Sequence, residues 1–314
     1  MRRTTVLLCL CLGILLPFPT AFAWNDSGHM IVAQLAWRAL SSGERTKISA
    51  LLTNHPHYAE LLNTNIPPGV DAKEWIFMKA ATWSDMVRPG AGKPAHITSY
   101  HRDVWHYINL PFVAAADAGN AQPSPPKVTN VVERLEQIET DLKSSAVAAN
   151  TRAVALCWYL HLMGDLHQPL HAVAWFSPTF NGPTGDQGGN QVAVQPKTAP
   201  VKLHTFWDGL LGTGESYAFV DLVADDIKAT WPSSKLQKEW KHKTYMEWAE
   251  ESLEAAVAFA YLDGKVRHAK WHNGITAAEV PDLDTGYEGN AQMIAKRRAA
   301  AAGVRLGKKL KAIF

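Results

Sequence analysis

The stretch AVALCWYLHLMGDLHQPLH, residues 153–171, decides how this chain is read. Apolar residues recur at helical spacing from 151 to 166, and Pro169 closes the run because a proline cannot continue the helical hydrogen bonding. His161 and Asp165 stand four apart, so they share one helix face with their Cβ atoms roughly 5–6 Å apart. Beyond Pro169 the chain can turn His171 back toward the same place. An imidazole and a carboxylate on one face can chelate a divalent ion, with nitrogen and oxygen donors suited to zinc. A polar helix end with capping histidines is the competing reading. His167 falls off the shared face and is expected behind the ligands or at the surface.

The same 3.6-residue period extends outward over 28–40, 44–53, 130–143, 216–229, 240–262 and 290–313, so the fold class is mainly α. One small β-hairpin is expected within GGNQVAVQPKTAPVKLH (188–204), from its glycine-rich entry and proline-containing turn. Segments 84–104, 111–127 and 177–200 read as long loops. In the basic helix AKRRAAAAGVRLGKKLKAIF at the end of the sequence, Val304, Leu306, Leu310 and Ile313 are expected to pack inward beneath a solvated charged face. No internal repeat or low-complexity linker interrupts the chain. One domain over 24–314 is expected.

The first 23 residues run from two arginines through VLLCLCLGILLPF to AFA, the order of a secretory signal peptide cut after Ala23. The apolar run is short for a membrane span and carries a proline, which argues against an anchor. Cleavage would remove Arg2 and Arg3 and leave 29 basic and 29 acidic residues. Secretion or a periplasmic location follows from the leader. Two of the three cysteines leave with it, and Cys157, set in an apolar run, reads as a buried thiol. An exported chain without disulfides depends on its core, or on metal.

Thirteen histidines are the compositional excess, and several fall in patterned groups. LHTFWDGLL supplies a second pair at i, i+4, His204 and Asp208. ATWSDMVR adds Asp85, and VWHYINLP adds His106, each among apolar or aromatic neighbours. His55, His57, His96, His101, His242, His268 and His272 lack such partners and read as structural or exposed. Trp24 would become the first residue after cleavage, and its freed amine and carbonyl can form a five-membered chelate ring with a metal. His29, near the start of the next helix, is close enough in sequence to join it. Taken alone, these two residues read rather as a packed indole and a surface histidine.

In order along the chain, Trp24, the GH at 28–29, TWSDMVR, WHYIN, HLMGDLHQPLH, GGN and LHTFWD resemble the zinc-dependent class I nucleases. These are the single-strand-preferring nucleases of fungi and plants and their bacterial relatives. The resemblance runs from Trp24 to about Asp208 and implies an α-helical domain of the zinc phospholipase C/nuclease type with three zinc ions. Carried over, one zinc would take Asp85, His106, His161 and Asp165. A second would take the amine and carbonyl of Trp24, His29 and the shared Asp165. The third would take His171, His204 and Asp208. The resemblance further implies attack of a zinc-activated hydroxide on phosphorus, with Arg88 supporting the charge that develops. Tyr107 and Asn190 become candidates for substrate binding, and Asn109 for a catalytic role. The family often has an acid at Asn109, which leaves proton handling there open. Gly209 stands where fungal members often carry a base-reading asparagine, so base preference does not transfer.

The implied activity is hydrolysis of single-stranded DNA and RNA to 5′-nucleotides, with 3′-nucleotidase activity. Nucleic acid and nucleotides are the partners implied, with no stable protein partner, no membrane anchor and a monomeric state. A near-neutral protein lacks the basic stripe expected of a duplex binder. Zinc phospholipase C is the nearest rival, set apart by a longer spacing from its tryptophan to the first histidine and a glutamate as last ligand. A secreted zinc-binding protein without turnover is the alternative from another class.

Overall fold

The computed structural model describes residues 24–197 and 199–314, so the expected leader lies outside the described residues. Helices dominate: α1 (Asp26–Ala39), α2 (Ser42–Leu52), α3 (Ala72–Met86), the short α4 (Ala95–Thr98), α5 (Val131–Lys143), α6 (Ala149–Asp165), α7 (Leu203–Asp208), α8 (Tyr217–Thr230), α9 (Tyr245–Ala255) and α10 (Tyr287–Ile313). Strands are few and short: β1 (Leu110–Val113), β2 (Val173–Phe176), β3 (Val192–Val194), β4 (Val201–Lys202) and β5 (Ala269–Lys270).

Local chemistry explains the helix ends. Asn25 accepts from the Gly28 amide at the start of α1, and Asn130 accepts from the Val132 and Glu133 amides at the start of α5. Ser41 with Glu44, and Thr244 with Glu247, form reciprocal capping boxes for α2 and α9. From residue 153 onward, all but Val154 in α6 are buried, as expected of a central helix. It packs against α3, α5 and α1, and α10 lies along α1.

Several expectations need correction. Helix α3 falls where no helix is expected, because ten of its fifteen residues are buried and no polar stripe marks its period. The expected loop 84–104 begins inside α3 and holds α4. Nor is 111–127 wholly loop, since β1 pairs in parallel with β2, Leu110 opposite Val173 and Phe112 opposite Trp175. The hairpin within 188–204 does form, as β3 against β4, and β5 extends it on the far side of β3. The helix expected over 240–262 is instead α9, entered from a turn at Glu239–Lys241 and continued by a wider π-turn at Ala256–Ala260.

In α10, Leu306 and Leu310 are buried as expected, whereas Val304 and Ile313 are half-buried. Two cations on the face expected to be solvated are buried instead. Arg298 and Arg305 both bind Glu251 of α9, at 2.8 Å and 2.7 Å. Among the described residues no helix is long and apolar enough to cross a membrane.

Candidate metal centre

The last turn of α6 delivers His161 and Asp165 to the middle of the molecule, both completely buried. Asp165 is the hub. Its Oδ2 lies 2.9 Å from His106 Nδ1 and 3.2 Å from His161 Nε2, and its Oδ1 lies 3.5 Å from His29 Nε2 and 3.7 Å from His171 Nδ1. Asp85, from the last turn of α3, places Oδ1 3.8 Å from His161 Nε2. His29, from α1, stacks on His161 with ring centroids 3.8 Å apart. On the other side of the hub, His171 and His204 meet Nε2 to Nε2 at 3.2 Å, and His204 reaches Asp208 at 3.6 Å.

Three groups able to hold an ion result: His29, Asp85 and His161; His106, His161 and Asp165; and His171, His204 and Asp208. Every side chain expected to ligate is therefore brought into one contiguous cluster. Trp24 is buried beside it, its Nε1–H donating to the Gly164 carbonyl at 3.1 Å.

The surrounding backbone sets ring orientation. His161 Nδ1 is 2.8 Å from the Ala81 carbonyl, His171 Nδ1 is 2.7 Å from that of His106, and His204 Nδ1 is 2.6 Å from that of Gly188. A donor proton at each Nδ1 leaves Nε2 as the lone-pair atom facing the cluster, the usual outer-layer arrangement around ligating histidines. The β1–β2 pairing supplies one of these contacts, since Ile108 N–H donates to the His171 carbonyl at 2.8 Å just ahead of the register that sets Leu110–Val113 against Val173–Phe176. The GGN segment supplies another. Gly188 has φ +61°, and a Cβ there would stand 2.3 Å from the Leu170 carbonyl oxygen, so only glycine lets this backbone reach His204. Asp186 holds the turn by accepting from the amides of Trp175, Gly188 and Gly189 and from the Tyr261 hydroxyl.

The donor set fits cations. Both ring nitrogens of His29, His106 Nε2, Asp85 Oδ2, Asp165 Oδ1 and Asp208 Oδ2 are buried without a hydrogen-bond partner. Such orphaned atoms are costly unless something binds them. Burial, helped by neighbouring cationic groups, holds His29, His106 and His171 well below the usual histidine range, which favours the neutral ligating form. Burial also pushes the Asp165 carboxyl up to about 6 and that of Asp208 well above its usual value. A bound cation would relieve that cost of burying charge.

Above the cluster opens a cleft of about 440 Å³ lined by Arg88, His106, Tyr107, Asn109, Asn190 and His204, among others. Arg88 donates from Nε to Asp85 Oδ1 at 2.6 Å. Tyr107 and Asn109 are half-buried there, and Asn190 donates to the Gln187 carbonyl at 3.0 Å. His167 is not a surface residue: it is completely buried, with Nδ1 2.8 Å from the Met163 carbonyl and Nε2 3.0 Å from Arg305. Sequence reasoning missed Gln168, which is buried and donates from Nε2 to Asp208 Oδ1 at 2.7 Å while its Oε1 accepts from the Leu170 amide. Its place between His167 and Pro169 was the one available signal.

A helical scaffold closing on three adjoining His/Asp groups beneath a polar cleft offers places that could hold metal ions next to a site open to substrate. The sequence pattern of the S1/P1 Nuclease family matches residues 24–314, and the chain belongs to that family. Endonuclease 2 of Arabidopsis thaliana is similar at 25% identity, over 98% of this chain and 97% of its own length. Nuclease S1 of Aspergillus oryzae (strain ATCC 42149 / RIB 40) is similar at 24% identity, over 91% and 90% respectively. The protein is thus a nuclease, a hydrolase acting on the ester bonds of nucleic acid, in a family that is generally metal-dependent.

Proposed function

We propose that the protein is an exported three-zinc endonuclease that cleaves single-stranded DNA and RNA to 5′-nucleotides and removes phosphate from 3′-nucleotides. One observation carries this reading: three potential ion sites, two of them sharing His161, adjoin one another, and His106, His171 and His204 bring two of them to the wall of the cleft. Asp85, His106, His161 and Asp165 would hold one ion, and His171, His204 and Asp208 another. The third would sit with His29, Asp165 and the amine and carbonyl of Trp24. Bound there, zinc would supply a nucleophile available near neutral pH and positive charge for the phosphate oxygens.

The chain's own residues do the rest. Arg88 is oriented by Asp85 and opens onto the cleft, where its guanidinium can hold non-bridging oxygens as charge builds on phosphorus. Asn109 offers an amide that can bind substrate but cannot carry a proton. Asn190 presents a second amide, and Tyr107 a ring face for an unpaired base, a mode of binding that requires no sequence readout. A cut after Ala23 would free the Trp24 amine, and the family match beginning at Trp24 supports that position.

Incubating the purified mature protein with single-stranded DNA, RNA, a 3′-nucleotide and phosphatidylcholine, with and without chelator, tests the reading. Chelator-sensitive cleavage of the nucleic acids is expected, with about three zinc ions per chain by elemental analysis. Lipid turnover with nucleic acid left intact would replace this reading with a phospholipase, and tight zinc without turnover would replace it with metal storage.

A further inference from the structure

The cleft has a second cation besides Arg88. Lys202 lines it together with His204, Asn190, Gln187 and Thr184. It closes β4, two residues before His204, and so borders the His171, His204 and Asp208 group. Its ammonium lies 5.7 Å from the centroid of the Trp271 ring, within cation–π range.

Sheet register explains this meeting. Strand β3 lies between β4 and β5, with Ala193 opposite Lys202 on one side and Ala269 on the other. Trp271 follows Ala269 by two residues, so it points to the same face. The small Ala193 between them lets the lysine and the indole approach across the central strand. Val192 and Val194 on β3 belong to the hydrophobic core. The Trp271 amide is held by the Gln191 carbonyl at 2.8 Å, beside the cleft residue Asn190. Both Lys202 and Trp271 are half-buried. Among the described residues no carboxylate pairs with Lys202, whereas Arg88 is held by Asp85.

We propose that Lys202 and Trp271 form a subsite for the nucleotide next to the scissile bond, Lys202 taking its phosphodiester anion and Trp271 stacking on its base. The subsite rests on the nuclease reading above and extends it from one phosphate to a strand. An ammonium has no lone pair to give a metal ion, yet beside His204 in the cleft lining it is well placed for the next anion. An indole beside it gives the stacking platform that single-strand binders combine with positive charge. Substrates with one phosphate would not reach the pair, so the two residues favour oligomers over 3′-mononucleotides.

The test compares the wild type with Lys202→Met, Trp271→Ala and Trp271→Phe on three probes: a labelled ten-residue oligothymidylate, a 3′-mononucleotide and bis(4-nitrophenyl) phosphate. Lys202→Met should raise KM for the oligomer about fivefold to tenfold and lower the salt slope of oligomer binding by about 0.7, the share of one single-strand phosphate. Trp271→Ala should raise the same KM by at least about fivefold, and Trp271→Phe should restore most of the loss. Both small probes should be hydrolysed within about twofold of wild type.

Fluorescence anisotropy with the oligomer in chelator gives a second readout independent of turnover, and should show the same weakening. Unchanged oligomer binding, or equal losses on all three probes, would overturn the subsite. Wild type that binds the oligomer but cleaves nothing would defeat the nuclease reading while leaving the subsite supported.

Discussion

Trp24 and Gly164 stand 140 residues apart, yet the indole Nε1–H of the first donates to the carbonyl of the second at 3.1 Å. That bond seats the start of the family match against the turn of α6 that carries His161 and Asp165. The space there is exact: a Cβ at position 164 would lie 2.8 Å from His29 Nδ1 and 3.1 Å from His29 Cε1. The ring cannot easily yield, because His161 is stacked on it. Gly164→Ala should therefore cut bound metal and lower nuclease activity at least about tenfold, although alanine favours a helix over glycine by about 1 kcal/mol. Elemental analysis with circular dichroism checks this; a helical, fully metallated and fully active variant would show that the close approach is unimportant.

Asp165 should separate metal binding from folding. Burial pushes its carboxyl up to about 6, and His161 and Arg88 offset only part of that, so its charge burdens the protein on balance until a cation is bound. Asp165→Asn keeps the shape and removes the charge. In chelator the variant should melt at or above the wild-type temperature. With zinc supplied the order should reverse, and activity should fall by roughly two orders of magnitude. Paired melts with and without zinc check this, and a variant less stable than wild type in chelator would contradict it.

Adding one residue ahead of Trp24 in a recombinant mature chain tests the proposed amine ligand directly. The extension turns the amine into an amide, so zinc content should drop by about one ion and activity should fall sharply. Native mass spectrometry of the two forms reads the count. Equal zinc and equal activity would remove Trp24 from the ligand set.

How much of this was legible in the sequence depended on distance along the chain. His161 with Asp165 and His204 with Asp208 could be paired from the helical period alone, because each pair spans one turn. That Asp85, His106 and His29 join them could not be read from spacing; it came from the resemblance, since no local rule links α1, α3 and α6. The β1–β2 pair escaped notice for the same reason: two four-residue strands more than 60 positions apart carry no local signal, yet they align His106 with His171. Helix α3 was missed because burial on nearly every side erased its amphipathic pattern. Arg298 and Arg305 misled in the opposite sense, since composition shows charge but not the Glu251 that pairs with it inside.

Arg305 makes that buried pairing consequential for the site. Its guanidinium donates to both Glu251 oxygens at 2.7 Å, to the Glu239 carbonyl at 2.6 Å, and lies 3.0 Å from His167 Nε2, just past the turn of α6 that carries His161 and Asp165. Arg305→Ala leaves Glu251 with Arg298 and a distant His242 at 4.0 Å, and strips His167 Nε2 of its partner. A loss of about 3–5 kcal/mol is expected, as when one partner of a buried pair is removed. Arg305→Lys should recover only part, because an ammonium cannot reproduce the forked contact. Urea unfolding of the three proteins decides it; a loss within about 0.5 kcal/mol, typical of surface changes, would contradict the network's importance.

Glu139 predicts how the scaffold responds to acid. Burial alone would raise its carboxyl, but Lys143 at 2.6 Å, Lys309 at 2.7 Å and the Tyr245 hydroxyl outweigh that and hold it at about 2, against an ordinary 4.5. These donors sit on α5, α10 and α9, so one carboxylate ties three helices. Because the folded value is depressed, the unfolded chain takes up the proton first as pH falls. The stabilisation is complete above about pH 4.5 and drains away between there and about pH 2. Glu139→Gln should be less stable than wild type at pH 7, and the gap should narrow as pH falls from 4.5 to 2.5. The urea midpoints should be measured in chelator, so that loss of metal does not contribute. A gap of constant size across that window would assign the acid sensitivity to other carboxylates, with Glu251, also held low by Arg305 and Arg298 against its burial, the next to test.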